Sequence, residues 1–502
     1  PPPPPPPPPR PGAGLPPTRT WAPPAITGPP PSPRRPRTPD PNPARLAVLA
    51  LVAGAAAEVG LRGSVPNLAI SVGLASVVAA LLADRRVEAP SARAAAAAAL
   101  VPIAFLAVRT SPWLTTANVA ATAVLVCLAV ACAHDGGVAR LGFGSLIGRL
   151  ARAWPDAASA PRLLAPLVPT PSDRTNDRVR RAALAVLISL PVLAAITLLL
   201  ASADPVFASL LTPDVAAGPA VVHLAATIVL ALAAVVAVGA AATRHAPDEP
   251  PPGRVGALEV AMVLGATAAI LGLFVSSQLL AATEAGRRLV TDAGLTPADY
   301  ARSGFFQLCW ATGLVLALLA VLRRVAAPGV LVHPAIRALG AAVPVLAVGL
   351  AVVAARRMAL YDDAFGLTML RLWVLGATAW MALVLLLVAA RNLRGSGRWV
   401  GAAALTAALV LVVGADVADP EAFVVRHNAA RAERGAPLDV AYLGELSADA
   451  VPALLDAAER TDDPTIAEDL RWAAGCPSAG SQGVDRLNLA SRRADEARAR
   501  SC

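Results

Sequence analysis

The sequence predicts an all-α fold: a polytopic transmembrane helical bundle of about eleven spans carrying a small C-terminal extracytoplasmic helical domain. Three observations predict it. Hydrophobic residues make up 56% of the 502-residue chain and charged residues only 15%, whereas about a quarter of an ordinary soluble domain is charged. The apolar residues fall in blocks of about twenty, the length that crosses ~30 Å of hydrocarbon. After Val413 the composition turns soluble. These features exclude a soluble enzyme, a nucleic-acid-binding module and a coiled-coil scaffold. A net charge of +9 would point to nucleic acid in a soluble chain. Here the expected partner is the lipid bilayer, with a membrane or extracytoplasmic protein beside it and no nucleic acid. All 43 basic residues are arginine. With so much alanine, this reads as GC-rich coding bias.

The elements follow in order. Residues 1–43 hold 22 prolines. Proline donates no backbone hydrogen bond, so this is expected to be a disordered, Pro-rich cytoplasmic tail. It has no apolar h-region and is not a signal peptide. Residues 44–133 form a first membrane block of about four spans, near 46–61, 66–83, 94–110 and 113–133. Residues 134–181 are an Arg-rich cytoplasmic segment and linker. In it Val138, Leu141, Leu146, Ile147 and Leu150 recur at helical spacing around Arg140, Arg149 and Arg152. That pattern fits an amphipathic helix on the leaflet or a loop helix packed on the bundle. Residues 182–415 form a second block of about seven spans, near 182–203, 218–242, 256–280, 304–322, 336–355, 369–390 and 399–415. Pro191, Pro334 and Pro344 are candidates for interrupting spans.

Residues 416–502 are the extracytoplasmic domain. Asp419-Pro420 reads as an N-cap and first-turn proline, with the helix running to about Arg434 and Gly435 as its left-handed stop. Ser447 reads as the cap of a second helix with Asp449 in its first turn, and Asp463-Pro464 as the cap of a third ending near Gly475. Orientation follows from arginine. With the N-terminus inside, 25 arginines are cytoplasmic and eight lie in outer loops, among them Arg62, Arg109, Arg356, Arg357 and Arg371. That bias places the C-terminus outside. The reading is therefore a multi-pass membrane protein. Cys127, Cys132 and Cys309 fall within spans, while Cys476 and Cys502 form an even pair in an oxidising compartment, a disulfide candidate.

No P-loop, dinucleotide fingerprint, nucleophile elbow or HExxH occurs. No catalytic residue, cofactor or metal site is assigned. Glu58, His223, Glu259, Gln278 and Gln307 are the intramembrane polar candidates, since polar groups at depth usually face a bundle interior or wet cavity. Glu259 lies close enough to the cytoplasmic end of its span to reach the interface. Two polar clusters fall on the outer face. One contains Glu284, Tyr300 and Arg302; the other contains Arg356, Arg357, Tyr361, Asp362, Asp363 and Arg371. Arginine kept outside needs an offset. It is either a structural ion-pair network or a site for an anionic ligand or lipid headgroup.

Four separated motifs around these clusters carry a resemblance. They are Ser202-Ala-Asp204-Pro-Val-Phe207; Tyr300-Ala-Arg302-Ser-Gly-Phe305-Phe306; Arg357-Met358-Ala-Leu-Tyr361 with Gly366-Leu-Thr-Met-Leu-Arg371; and Asn428-Ala-Ala-Arg431 with Asp439, Tyr442-Leu443 and Leu446-Ser447-Ala-Asp449-Ala-Val-Pro452. Over about residues 180–460 the chain resembles a bacterial membrane-protein family filed as domain of unknown function 4153 or 4173. The resemblance implies a multipass protein of a bacterial cell membrane and supplies no activity. Three functions follow in order of preference: a structural, assembly or sensory membrane component; a transporter of a lipid-like or small anionic solute; and an intramembrane enzyme on a lipid-linked substrate, with Tyr361, Asp362 and Asp363 as its acid group.

Overall fold

The structure is a computed structural model that describes residues 1–4, 43–84, 87–133, 255–281, 305–394, 399–476 and 483–502. The proline tail beyond residue 4, the 134–181 segment, the spans near 182–203 and 218–242, and the candidates His223, Glu284, Tyr300 and Arg302 lie outside the described residues.

The first helices are α1 (Pro43–Leu61), α2 (Leu68–Ala83), α3 (Pro90–Ala98), α4 (Leu100–Phe105) and α5 (Pro112–Ala131). Asn67 turns the chain from α1 into α2. Its side-chain carbonyl accepts from Ala69 N at 3.1 Å while its amide donates to Gly60 O at 2.9 Å. The expected span at 94–110 is broken in two. Pro102 has no N–H to return to the carbonyl of residue 98, and the turn tightens at Ala99. Val78, Leu81, Ala92, Ile103 and Leu128 form the core of this block.

The second group is α6 (Ala257–Ala281), α7 (Phe305–Val325), α8 (Pro334–Phe365), α9 (Met369–Arg394) and α10 (Trp399–Ala418). Val260, Leu264, Val343, Leu350 and Leu385 interlock at its centre. Pro334 starts α8 at a position where its missing N–H costs nothing, and Pro344 sits inside α8 without ending it. The helix runs on for 32 residues, ten past the expected span. The second polar cluster was expected in an outer loop; its Arg356, Arg357 and Tyr361 to Asp363 instead occupy the last turns of α8. Ala-Ala-Arg-Arg-Met-Ala-Leu are all helix formers, and nothing breaks the helix before Gly366.

Helix α10 joins the two groups. Trp380 Nε1 on α9 donates to Ala404 O at 3.0 Å, and Leu405 packs against the first core. Among the described residues, five helices are long and apolar enough to cross a membrane: α5, α6, α8, α9 and α10. Helices α1, α2 and α3–α4 are shorter apolar helices. Leu51, Met262, Ile270, Leu273 and Val410 stand exposed on the helix surfaces, where water would penalise them and hydrocarbon would not.

The chain then forms α11 (Pro420–Ala432), α12 (Val440–Gly444), α13 (Val451–Arg460), α14 (Pro464–Ala473), a 3-10 turn (Gly483–Leu487) and α15 (Leu489–Ser501). Val425, Leu443, Leu454, Leu470 and Ala494 make their shared core. Asp463 caps α14 through Thr465 N at 2.9 Å, and Gly435 and Gly475 take the positive φ of helix stops. Ser447 does not cap a helix directly: α13 begins at Val451, and Ser447 to Ala450 form a turn before it. Cys476 and Cys502 are joined, with Cα atoms 5.6 Å apart.

Antiparallel connection gives the bundle two ends. At one, Val255 pairs with the 325–327 segment, Arg337 donates to Asn392 O at 3.0 Å, and Arg323 donates to Asn392 Oδ1 at 3.2 Å. At the other, the turns 62–67, 106–111 and 366–368 all meet the C-terminal helices.

Candidate functional site

Two polar seats hold the C-terminal helices to that second end. The first is built on the turn between α8 and α9. Gly366 stands at φ 77° and ψ 170°, a region essentially closed to other residues. Its neighbour Leu367 exchanges two hydrogen bonds with Asn428 of α11, N to Oδ1 at 3.0 Å and Nδ2 to O at 2.8 Å. Met369 N donates to the Tyr442 hydroxyl at 2.7 Å, and Arg431 donates to Asp363 O at 2.9 Å. Burial pushes the Tyr442 hydroxyl pKa up.

Within this seat Arg371 donates to Gly366 O and lies over the Tyr361 ring, 4.4 Å from its centroid. Asp362 Oδ2 lies 3.0 Å from His427 Nε2. Arg357 is half-buried and Arg356 exposed. The structure thus brings Tyr361, Asp362, Asp363 and Arg371 together with His427, Asn428, Arg431 and Tyr442.

Other candidates occupy helix ends elsewhere in the chain. Glu58 sits in the last turn of α1, 3.3 Å from Arg62, four residues on. Glu259 is exposed in the first turn of α6, and Gln278 lies near the other end of that helix. Gln307 is in the first turn of α7.

The second seat is buried deeper. Arg109 leaves the loop between α4 and α5 and is 8% exposed. Its Nε donates to Asp416 O at 2.8 Å, and Nη2 reaches the same carbonyl. Nη1 pairs with Asp419 Oδ2 and, at 3.3 Å, with Asp449 Oδ1. Asp449 was expected to serve a helix start. Its Oδ2 instead accepts from Thr110 N at 2.8 Å and Ser111 N at 2.7 Å, holding the α4–α5 loop. Glu421 accepts from Ser447 N at 2.8 Å and Ser447 Oγ at 2.7 Å. Asn118 on α5 donates to Asp416 Oδ1 at 2.9 Å. Asn488, fully buried, caps α15 and donates to Pro66 O at 2.7 Å and Arg109 O at 3.0 Å.

Carboxylates outnumber cations in this seat. Burial raises the pKa of Asp419, against the bond from Ala422 N and the charge of Arg109. Burial also raises that of Glu421, against the Ser447 bonds. Burial alone would lower the pKa of the Arg109 guanidinium, but Asp419 and Asp449 together leave it raised. Asp419 takes a left-handed φ of 55° to cap α11 through Ala422 N at 3.1 Å, a conformation that Asp tolerates better than most residues. Among the described residues no group of acids, histidines or cysteines is arranged to hold a metal ion. The seat anchors the α4–α5 loop to the C-terminal helices.

A raised carboxylate pKa fixes a pH dependence. The folded form binds the proton more tightly than the unfolded one. The stability each acid contributes is therefore complete below its ordinary value, 3.8 for Asp419 and 4.5 for Glu421. It is lost as pH rises through the higher folded value. Glu421→Gln keeps an acceptor for Ser447 and removes that loss. Thermal unfolding in detergent should show the variant more stable than wild type at neutral pH, with the advantage shrinking as pH falls toward 4.5.

A family model described as "Domain of unknown function (DUF4153)" matches residues 94–457. The chain belongs to this family. The DUF4153 region starts before the stretch that the sequence motifs carry, at about residue 180, and takes in α4, α5 and Arg109. Both seats fall inside it; Asn488 and the Cys476–Cys502 bridge fall outside. No curated protein and no solved structure matches the chain.

Sequence reading missed most of the second seat. Arg109 counted only as one more outer arginine. Asp416 escaped because the last span was ended at 415, one residue short of it; α10 runs to Ala418. An acid inside an apolar helix, with Asn118 as another polar residue in α5, was the available signal.

Proposed function

We propose that the protein is a multi-pass membrane component of the structural, assembly or sensory kind, with its C-terminal helices held as a rigid extracytoplasmic platform. One observation carries this reading. Arg109, Glu421, Asn428, Asp449 and Asn488 at that end bond one another's elements through side-chain and backbone groups, in several cases across hundreds of residues, as in the bonds from Arg109 to Asp416 O and Asp449. Such a network fixes a platform more readily than it lines a path for solute. The arginine distribution supports the orientation, with N-terminus inside and C-terminus outside.

Arg371→Gln and Arg357→Gln test the reading in whole cells, with membrane-inserted protein quantified beside any growth or envelope phenotype. The expected result is a phenotype that tracks loss of folded protein. A phenotype at full protein level would instead place a ligand at the Tyr361–Arg371 seat and favour transport of an anionic or lipid-like solute. The orientation has its own check: a C-terminal tag should be reachable by an impermeant label in intact cells. Labelling only after the membrane is opened would overturn the extracytoplasmic platform.

A further inference from the structure

The second seat does not close over at its outer side; a cleft opens there. It is a cleft of about 380 Å³ above Arg109, walled by α11, α13 and α15. The three helices build it in the same way. Each places an alanine low in the cleft and a charged residue one turn further along the same face: Ala422 and Arg426, Ala453 and Asp456, Ala490 and Arg493. Spacings of three or four residues put each pair on one side of its helix. The alanines leave the room, and the long side chains stand at the rim.

Charge at the rim is lopsided. Asp456 is paired with Arg460, four residues on in α13. Arg426 and Arg493 are exposed and have no hydrogen-bond or ion-pair partner among the described residues. The floor has the opposite character, since Arg109 is already shared between Asp419 and Asp449. A fitting molecule is therefore anionic at one end and hydrogen-bond-donating at the other. Two guanidinium forks from separate helices ask for more acceptor oxygens than one carboxylate edge offers, and a phosphate supplies them. The volume lies within the range of small-molecule sites, ~300–1,000 Å³.

The geometry points to a binding site for a phosphorylated alcohol, with its phosphate between Arg426 and Arg493 and its hydroxyl-bearing part toward Asp419, the partly exposed acid of the floor. The phosphate belongs either to a soluble ester or to a glycerol-bearing phospholipid headgroup. This goes beyond the platform reading and does not require it, because the cleft needs only the C-terminal helices seated over Arg109 and the end of α10, whichever side of the membrane they occupy.

The test uses the full chain purified in detergent. Glycerol 3-phosphate is titrated by calorimetry, and retention of phosphatidylglycerol from mixed micelles is counted by native mass spectrometry. We expect saturable binding in at least one arm, weakened about tenfold or more in R426Q/R493Q, as losing charge-assisted hydrogen bonds implies. Arg434→Gln removes an exposed arginine outside the cleft and should bind as wild type. Ala448→Leu, which fills the wall and keeps both arginines, should also lose binding, so the result does not hang on one variant's folding. Binding in the first arm identifies a soluble ester, and binding in the second alone a lipid headgroup. Failure of both probes, undiminished binding by R426Q/R493Q, or equal weakening by Arg434→Gln overturns the site. None of these outcomes bears on the platform, whose test is protein level and labelling.

Discussion

Arg109→Gln is expected to cost about 3–5 kcal/mol, the usual penalty for removing one partner of a buried charge network. The substitution takes the cation from Asp419 and Asp449 and leaves Asp416 O without its two guanidinium bonds. Glutamine can replace one of those bonds but no charge. Asp449, 4% exposed, then remains where water reaches it poorly, while Asp419 keeps partial access through the cleft. The measurement is the yield of folded protein in membranes and its unfolding temperature in detergent. A second substitution makes the argument specific. Adding Asp449→Asn removes one of the stranded charges and keeps an acceptor for Thr110 N and Ser111 N, so the double variant should recover part of the loss. If the two losses simply add, Arg109 acts by packing and not by neutralising the seat.

What could be read in the sequence was local. Asp419, Asp463, Gly435 and Gly475 were legible as caps and stops because each acts on residues within one turn, and the structure uses them there. The apolar helices were legible because hydropathy over about twenty residues is a sum, insensitive to detail. Their ends were not. Arg356 to Asp363 looked like a loop from their charge, yet the helix formers Ala354 to Leu360 carried α8 through them, and it ends only at Phe365 before Gly366. Asp449 was misread because its partners, Thr110 and Ser111, lie 339 and 338 residues away. Helix α15 was missed altogether, although Asn488 stood in the sequence as an N-cap. Its body, rich in arginine, buries only the alanines Ala490, Ala494 and Ala497, a weak hydropathy signal, and its cap bonds carbonyls of the 66–109 region.

Gly366→Ala should be the second most damaging change, because two independent penalties meet at one atom. At φ 77° and ψ 170° a side chain strains the backbone by about 1–3 kcal/mol. The added methyl would also fall 2.5 Å from Asn428 Oδ1 and 2.8 Å from Arg431 Nη1. Asn428 is buried and its amide is fixed at both ends by Leu367, so it cannot step back without breaking that exchange. Leaving a buried polar group unsatisfied costs about 1–3 kcal/mol more. Gly435→Ala is the control: its φ is 87°, but a methyl there meets nothing within 4 Å. It should show the backbone strain alone. Limited proteolysis of the two variants in detergent separates the contributions. Gly366→Ala should release the C-terminal helices at markedly lower protease concentration than Gly435→Ala. Equal sensitivity would mean that α11 is not seated on the α8–α9 turn through Asn428, and that the platform is held by the Arg109 seat alone.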